Sequence, residues 1–223
     1  MSNSSRLAAA ALCGLLAAGP LAAAAQTARP AAPAQKGGDV SRSFTWTGGE
    51  EISFSVPSDI RYRQGPAADI VVSGPRELVD RVELRRGEFR FDRRMRNVRD
   101  RLDIVVTLPN IKSFGLSGSQ RLDIAGYDQP ALTVGLSGSG RVTAAGATRS
   151  SRISISGSGD VDLARLSAMD TTISISGSGS VVAGPKESAR ISISGSGNVD
   201  LLTNPPQMQS SVSGSGRVRV GRG

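Results

Sequence analysis

Histidine is absent from this 223-residue sequence, and cysteine occurs only at Cys13. The lack of histidine removes the commonest general base, the commonest metal ligand and every catalytic arrangement that pairs serine with histidine. Cys13 lies in a segment that we expect to be cleaved off, so the mature chain has no thiol for a disulfide, a metal site or a nucleophile. Catalysis would depend on carboxylates alone, and we predict no catalytic residue, no cofactor and no metal site.

Long apolar runs are also missing, apart from an Ala- and Leu-rich stretch over residues 7–25 that two glycines and a proline interrupt. Arg6 before this stretch and small residues at its end are typical of a signal peptide, so we predict one over residues 1–25. A retained membrane anchor is the alternative, which the interruptions disfavour. We therefore expect export across the inner membrane to the periplasm or the cell surface, with no transmembrane segment after cleavage.

Acidic side chains are in the minority, since 19 Asp and Glu stand against 27 Lys and Arg and give a net charge of +8. Removal of Arg6 with the signal peptide would leave 26 basic against 19 acidic side chains, a net charge of +7. In an exported protein this balance favours anionic envelope polymers or lipid headgroups as partners, and it disfavours nucleic acid.

Residues 26–42 are rich in Ala, Pro and Gly and have no apolar periodicity. This composition predicts a disordered linker. The folded domain is expected over residues 43–223, which is long enough to bury one core.

Short runs of alternating apolar residues dominate residues 44–111, for example Ile52, Phe54 and Val56. A period of two predicts β-strands. Glycines and prolines fall between these runs, where turns need them. No window outside the predicted signal peptide has the periodicity of a helix, so this half of the domain is also expected to be all-β.

Residues 113–220 repeat one phrase six times, in which an apolar pair, a Ser- and Gly-rich corner and another apolar pair follow one another. The central glycines, which lie 20, 19, 20, 18 and 19 residues apart, are Gly118, Gly138, Gly157, Gly177, Gly195 and Gly214. A unit that recurs about every nineteen residues is typical of a solenoid. Alternation continues through each unit, which places aliphatic residues on one face and serine on the other.

A single unit cannot fold alone, because its few aliphatic side chains contribute about 1.5 to 3 kcal/mol each and ordering costs about 1 to 2 kcal/mol per residue. Stacking units in register about 4.8 Å apart satisfies the backbone groups and joins the aliphatic residues into one core. An antiparallel meander is the competing arrangement, but it would need a hairpin signal after every strand. We therefore predict a single-stranded, right-handed parallel β-helix with coils of about nineteen residues.

The succession of SGSG corners, the phrase ISISGSG and the preceding LPNIKSFGLSGS resemble the bacterial head GIN domain, a domain of unknown function labelled a putative auto-transporter adhesin. The resemblance covers roughly Phe44 to Val220. It implies an exported parallel β-helix, often in Gram-negative envelopes, and it supplies no catalytic residues.

Carboxylates and serines recur at equivalent positions of the repeats. Asp160 and Asp162 follow glycines as in calcium-binding β-rolls, but their spacing and the repeat length differ, so we predict no metal site there. Asp123, Asp162 and Asp200 would be the carboxylates of a carbohydrate-processing enzyme, although no aromatic residue follows Tyr127 and sugar-binding clefts generally use aromatic side chains.

The serine column is interpreted as a solvated face rather than a surface for ice or a polymer: Ser117, Ser137, Ser156, Ser176, Ser194 and Ser213.

Arginines concentrate before the repeats, where residues 81–101 contain nine arginines against four acidic residues. A solvated strand and loop is the simpler interpretation. The alternative is docking to phosphate or carboxylate groups of an anionic surface. The residues predicted for that contact are Arg85, Arg86, Arg90, Arg93, Arg94 and Arg96.

The sequence thus favours a non-enzymatic exported envelope protein, a β-helical scaffold that acts in adhesion or cell-surface interaction. A carbohydrate-processing enzyme on the same scaffold, using Asp carboxylates, is the alternative. The last coil must expose a strand edge, through which we expect homo-oligomers unless Arg217 and Arg219 discourage end-to-end pairing.

Overall fold

The computed structural model describes residues 39–93 and 98–221 of the chain. The predicted signal peptide, the predicted linker up to residue 38, and both Arg94 and Arg96 lie outside the described residues. Among these described residues, sixteen strands join in one sheet, and a single short helix accompanies them. Within the described ranges, no helix has the length and apolar character needed to cross a membrane.

The first half of the domain contains seven strands and the helix. They are β1 (Asp39–Thr45), β2 (Glu51–Phe54), β3 (Ser58–Gln64), β4 (Asp69–Pro75), α1 (Arg76–Val79), β5 (Val82–Arg85), β6 (Glu88–Phe91) and β7 (Leu102–Leu108). Strand β1 begins at Asp39, so the domain start predicted at residue 43 is too late. The last four residues of the predicted linker belong to this strand.

The repeat region contains nine strands. They are β8 (Ser113–Gly118), β9 (Arg121–Gly138), β10 (Arg141–Gly157), β11 (Asp160–Gly177), β12 (Ser180–Ala183), β13 (Pro185–Gly195), β14 (Asn198–Leu201), β15 (Gln207–Gly214) and β16 (Arg217–Val220). Strands β9 to β11 each follow the chain through 17 or 18 residues, so one strand covers two faces of the coil.

The repeats stack as parallel coils. Strand β10 pairs in parallel with β9 on one side and with β11 on the other, and Ile153 aligns with Val134 and Ile173. The predicted parallel β-helix is confirmed, as a β-solenoid of about five turns. Its inward-facing aliphatic side chains are buried and form one continuous core, each contributing about 1.5 to 3 kcal/mol.

The first glycine of each SGSG or SGSQ corner ends a strand. The φ angles of these six glycines lie between 121° and 131°, a region that residues other than glycine rarely adopt. A Cβ at Gly157 would lie closer than 3.0 Å to the carbonyl oxygen of Gly138 in the preceding coil. The same carbonyl accepts a hydrogen bond of 2.9 Å from the amide of Ser158. Glycine is therefore required by both the bend and the close approach of consecutive coils.

The order of the strands in space differs from their order in the chain at the N-terminal end. Strand β3 lies between β7 and β9, and β2 lies between β6 and β8, all in parallel. Strands β4 and β1 continue the sheet beyond β7 in antiparallel orientation, and β5 pairs antiparallel with β6. These antiparallel strands close the N-terminal end of the coil stack.

The C-terminal end differs, because no described strand pairs with the outer edges of β15 and β16. All eight residues of β15 are exposed. Met208, Val212 and Val220, which belong to these two strands, are 39%, 42% and 38% exposed. The expected open strand edge at the last coil is therefore present in the described part of the chain.

Candidate functional site

The arginine-rich segment forms a hairpin that docks on the coil stack. Strands β5 and β6 pair in antiparallel fashion around the two-residue turn Arg86–Gly87, whose φ angles are 50° and 81°. Positive φ at both central residues is the requirement of a type I′ turn. The amides of Ser53 and Ser55 donate to the carbonyls of Gly87 and Phe89, both at 2.8 Å. The hairpin is therefore held as an additional strand beside β2.

Aromatic packing fixes which side chains of β6 point outward. The ring of Phe89 is buried, stacks on Phe54 at 5.4 Å between centroids, and meets Phe44 edge-on at the same distance. Because side chains alternate along a strand, Arg90 points away from this core and is exposed. Phe91, the next residue on the side of Phe89, is only half-buried.

A cleft of about 550 Å³ opens where the end of β6 faces a corner of the coils. Its lining comprises Ser55, Pro57, Arg90, Phe91, Arg93, Val98, Ser117, Gly118, Ser119 and Gln120. We call this the anion cleft, because among the described residues that line it the two charged ones are both arginines and none carries a carboxylate. The hydroxyls of Ser117 and Ser119 provide further hydrogen-bonding partners, whereas the hydroxyl of Ser55 donates to the carboxylate of Glu88 at 2.7 Å.

The two cleft arginines differ in how far they are engaged. The Arg93 guanidinium lies 3.9 Å from the carboxylate of Asp92, and its side chain is 72% exposed. Within residues 39–93 and 98–221, the guanidinium of Arg90 takes part in no ion pair or hydrogen bond, although Glu83 faces Arg90 across the hairpin. Glu83 instead pairs with Arg85 at 2.7 Å. Arg90 is thus available to an external anion.

The structure separates the six arginines predicted for anion contact. Arg90 and Arg93 come together in the anion cleft. Arg85 is paired with Glu83, and Arg86 occupies the hairpin turn, so neither lines the cleft. Arg94 and Arg96 lie outside the described residues.

Gln120 is a cleft residue that the sequence interpretation missed. It stands where the other corners have a second glycine, as in Gly140, and it is only 1% exposed. Its amide nitrogen donates to the carbonyls of Phe54, Val56 and Ser117 at 3.3, 3.2 and 2.6 Å, which joins two coils. The signal was present in the sequence, because SGSQ departs here from the SGSG phrase.

Arg101 fixes the rim of the same corner. Its guanidinium binds both carboxylate oxygens of Asp59, at 3.1 and 2.9 Å, and donates to the carbonyls of Ser58 and Ser119 at 2.7 and 2.9 Å. Such a bidentate pair orients the planar guanidinium closely. Arg101 therefore has a structural role and holds Ser119 at the edge of the anion cleft.

The recurring carboxylates each have a partner. Register places Thr143 and Val182 between the three aspartates of this column. Asp123 accepts from the Thr143 hydroxyl at 2.6 Å, Asp162 from the amide of Ala164 at 2.9 Å, and Asp200 lies 3.7 Å from Arg219. Across the described ranges, no cluster of three or more acidic side chains could hold a metal ion. This column therefore gives no support to the enzyme alternative.

These features define a class of protein, a parallel β-solenoid that is closed by antiparallel strands at one end and carries a basic cleft beside them. A family model described as "Putative auto-transporter adhesin, head GIN domain" matches residues 50–205. The chain belongs to this family, and the resemblance seen in its repeats is confirmed. The family description fits an exported or cell-surface protein. No curated protein matches the chain.

Solved structures share the fold. A putative adhesin from Bacteroides fragilis has a TM-score of 0.68 at 19% identity, covering 84% of this chain and 98% of its own. A putative adhesin from Parabacteroides merdae has a TM-score of 0.53 at 16% identity, covering 83% and 97%. A protein of Parabacteroides distasonis described as putative lipid binding has a TM-score of 0.50 at 16% identity, covering 83% and 98%. At these identities the likeness concerns the fold alone.

Proposed function

We propose that this protein is a non-enzymatic scaffold of the cell envelope that attaches to anionic groups of lipids or polymers through the anion cleft. The observation that carries the proposal is the convergence of Arg90 and Arg93 on a cleft whose lining contains no carboxylate. A guanidinium without an internal partner loses no existing ion pair when it binds an external phosphate or carboxylate.

The coil stack contributes rigidity to this role. Successive coils are joined along their whole length by backbone hydrogen bonds in register, and the hairpin with Arg90 is one further strand of the same sheet. The cleft is therefore presented on a preformed surface, which lowers the ordering cost of binding. The description of one structural neighbour as putative lipid binding is compatible with a lipid headgroup as the anion.

The proposal is tested by binding to vesicles of phosphatidylcholine with and without phosphatidylglycerol. Binding should require the anionic lipid and should weaken steeply with salt, because exposed charges are screened. Each basic residue near an anionic surface contributes about 1 kcal/mol. The double variant Arg90→Gln and Arg93→Gln should therefore lose roughly thirtyfold in affinity.

The control for net charge is the double variant Arg149→Gln and Arg165→Gln. These two arginines are exposed on the coils and do not line the anion cleft. The control should bind within about threefold of the unmodified chain. Equal losses in both double variants would mean that only overall charge matters, and salt-insensitive binding would overturn the proposal.

A further inference from the structure

A second cavity, of about 520 Å³, lies on the outer face of the sheet that carries the serine column. The middle of its lining is a row of small residues on five neighbouring strands, which we call the serine–glycine strip: Ser53, Gly115, Gly135, Ser154 and Ser174. None of the residues that line this cavity is charged, and carbon atoms make up most of its accessible wall.

Gly115 and Gly135 stand where the following coils have serine. The hydroxyl of Ser53 lies over Gly115, 2.6 Å from the place of an added Cβ, so only Gly135 lowers the floor of the strip. Neither glycine is needed for a backbone bend, since neither has a φ in the left-handed region. A Cβ added at Gly135 would meet nothing nearer than the carbonyl oxygen of Phe114 at 4.0 Å. The space above Gly135 is therefore open to a ligand rather than filled by the protein.

The strip meets the anion cleft at Ser55, whose hydroxyl donates to the carboxylate of Glu88 at 2.7 Å. Ser55 and Ser117 line both cavities, so the two are adjacent along the same face. One end of the combined groove carries Arg90 and Arg93, whereas the cavity over the strip has no charge. A ligand that matches this distribution has an anionic group at one end and an uncharged, apolar body.

The dimensions match a single hydrocarbon chain. Five neighbouring strands have four spacings of about 4.8 Å, so the strip is about 19 Å long. One leaflet supplies about half of the roughly 30 Å hydrocarbon core of a bilayer, or about 15 Å. A polyanion would instead place further charges over the strip, where the lining contains no arginine to pair with them.

We infer that the groove binds a single-chain anionic lipid, with its phosphate at Arg90 and Arg93 and its acyl chain lying along the serine–glycine strip. This inference rests on the proposed function, because the phosphate occupies the anion cleft. It goes beyond that function by specifying the class of ligand and by adding the serine–glycine strip as the second half of the binding site.

Isothermal titration of the full chain tests this with three probes below their aggregation concentrations. Myristoyl lysophosphatidic acid has both parts, glycerol phosphate has the charged group alone, and monomyristoyl glycerol has the chain alone. We expect lysophosphatidic acid to bind at least about tenfold more tightly than glycerol phosphate. Monomyristoyl glycerol should bind at least about tenfold more weakly than lysophosphatidic acid.

The variant Gly135→Leu fills the open space of the strip. It should weaken lysophosphatidic acid binding about tenfold and leave glycerol phosphate binding unchanged. The matched control is Ser192→Leu, which lies in the same column but outside the cavity and should bind like the unmodified chain. Should Gly135→Leu not fold, as judged by circular dichroism, Ser154→Leu takes its place.

The outcomes separate the two proposals. If glycerol phosphate binding depends on Arg90 and Arg93 but the acyl chain adds nothing, the inference is wrong and the proposed function stands. The same conclusion follows if Gly135→Leu and Ser192→Leu bind lysophosphatidic acid equally. If neither phosphate probe nor anionic vesicles bind, both proposals fail.

Discussion

Replacing Gly157 with alanine should destabilise the coils strongly, although the change adds only one methyl group. Gly157 has a φ of 131°, and a Cβ there would lie within 3.0 Å of the carbonyl oxygen of Gly138. Holding a residue other than glycine in such a conformation costs about 1 to 3 kcal/mol. Displacing the carbonyl of Gly138 also weakens the hydrogen bond that it accepts from the amide of Ser158, which costs about 1 kcal/mol. The free energy of unfolding should therefore fall by about 2 to 4 kcal/mol.

The control is Gly135→Ala, which changes a glycine on the outer face of the neighbouring coil. Its backbone is extended and its Cβ would have free space, so replacing this strand glycine should leave stability unchanged or raise it by about 0.5 to 1 kcal/mol. In urea, with a slope of about 2 kcal/mol/M, Gly157→Ala should lower the midpoint by roughly 1 to 2 M.

Circular dichroism reports on the strands of all coils in this experiment. The fluorescence of Trp46, the one tryptophan of the chain, reports on the N-terminal end near the hairpin. Stacked repeats need not unfold in one step, so the two signals are compared at each urea concentration. Equal midpoints for Gly157→Ala and Gly135→Ala would refute the reasoning, because the corner conformation would then carry no cost.

Two further predictions concern alkaline stability and the open end. Burial raises the pKa of Tyr62 from its ordinary value near 10 to about 12. Because the unfolded chain releases this proton first, the free energy of unfolding should fall as pH rises from 10 towards 12, by up to about 3 kcal/mol. Urea midpoints of Tyr62→Phe should fall less over that range, and parallel curves would contradict this. At the last coil, replacing Arg217 and Arg219 with threonine should make light scattering grow with concentration; flat scattering would show that these arginines do not prevent pairing.

The repeat region was predictable because each coil obeys the same local rule. Alternation placed Ile153 and Ile155 inside and the intervening Ser154 outside, and the structure has them so. Spacing alone also aligned Gly138, Gly157 and Gly177 in one column. Since every unit has the same neighbours above and below, local pattern and tertiary pairing carry the same information here.

Strand β4 was not predicted, for a physical reason. Ile70, Val71 and Val72 are consecutive apolar residues, so they give no period of two. Tertiary contacts determine this strand, because β4 pairs with β1 on one side and with β7 on the other, which leaves Ile70 and Val72 buried and Val71 half-buried. One pairing partner, β1, precedes β4 in the chain, and the other, β7, follows it after two further strands. No local sequence pattern specifies which distant strands will pair with β4.

The candidate site was predicted only in part. The excess of arginine marked the segment that contributes Arg90 and Arg93 to the cleft, but composition could not separate Arg90 from Arg85, since both alternate with apolar residues. What separates them is the turn at Arg86–Gly87 and the distance of 2.7 Å between Arg85 and Glu83. Ser117 of the cleft was interpreted as part of a solvated column, and its proximity to Arg90 follows only from docking of the hairpin beside β2.

The location of the cleft follows from the way a solenoid pairs its own charges. In register, an outward side chain has neighbours one coil above and one below, so Arg141 meets Asp160 at 2.9 Å and Thr143 meets Asp123 at 2.6 Å. Some outward charges of the regular faces are thereby paired by the repeat itself. Others are not, since Arg149 and Arg165 on the coils take part in no ion pair among the described residues. Arg90 differs from these in its position, because the hairpin strand added at the boundary of the repeat brings it into one cleft with Arg93. Binding to anions is therefore expected at this irregular end of the stack, where two arginines converge, rather than along the regular coils.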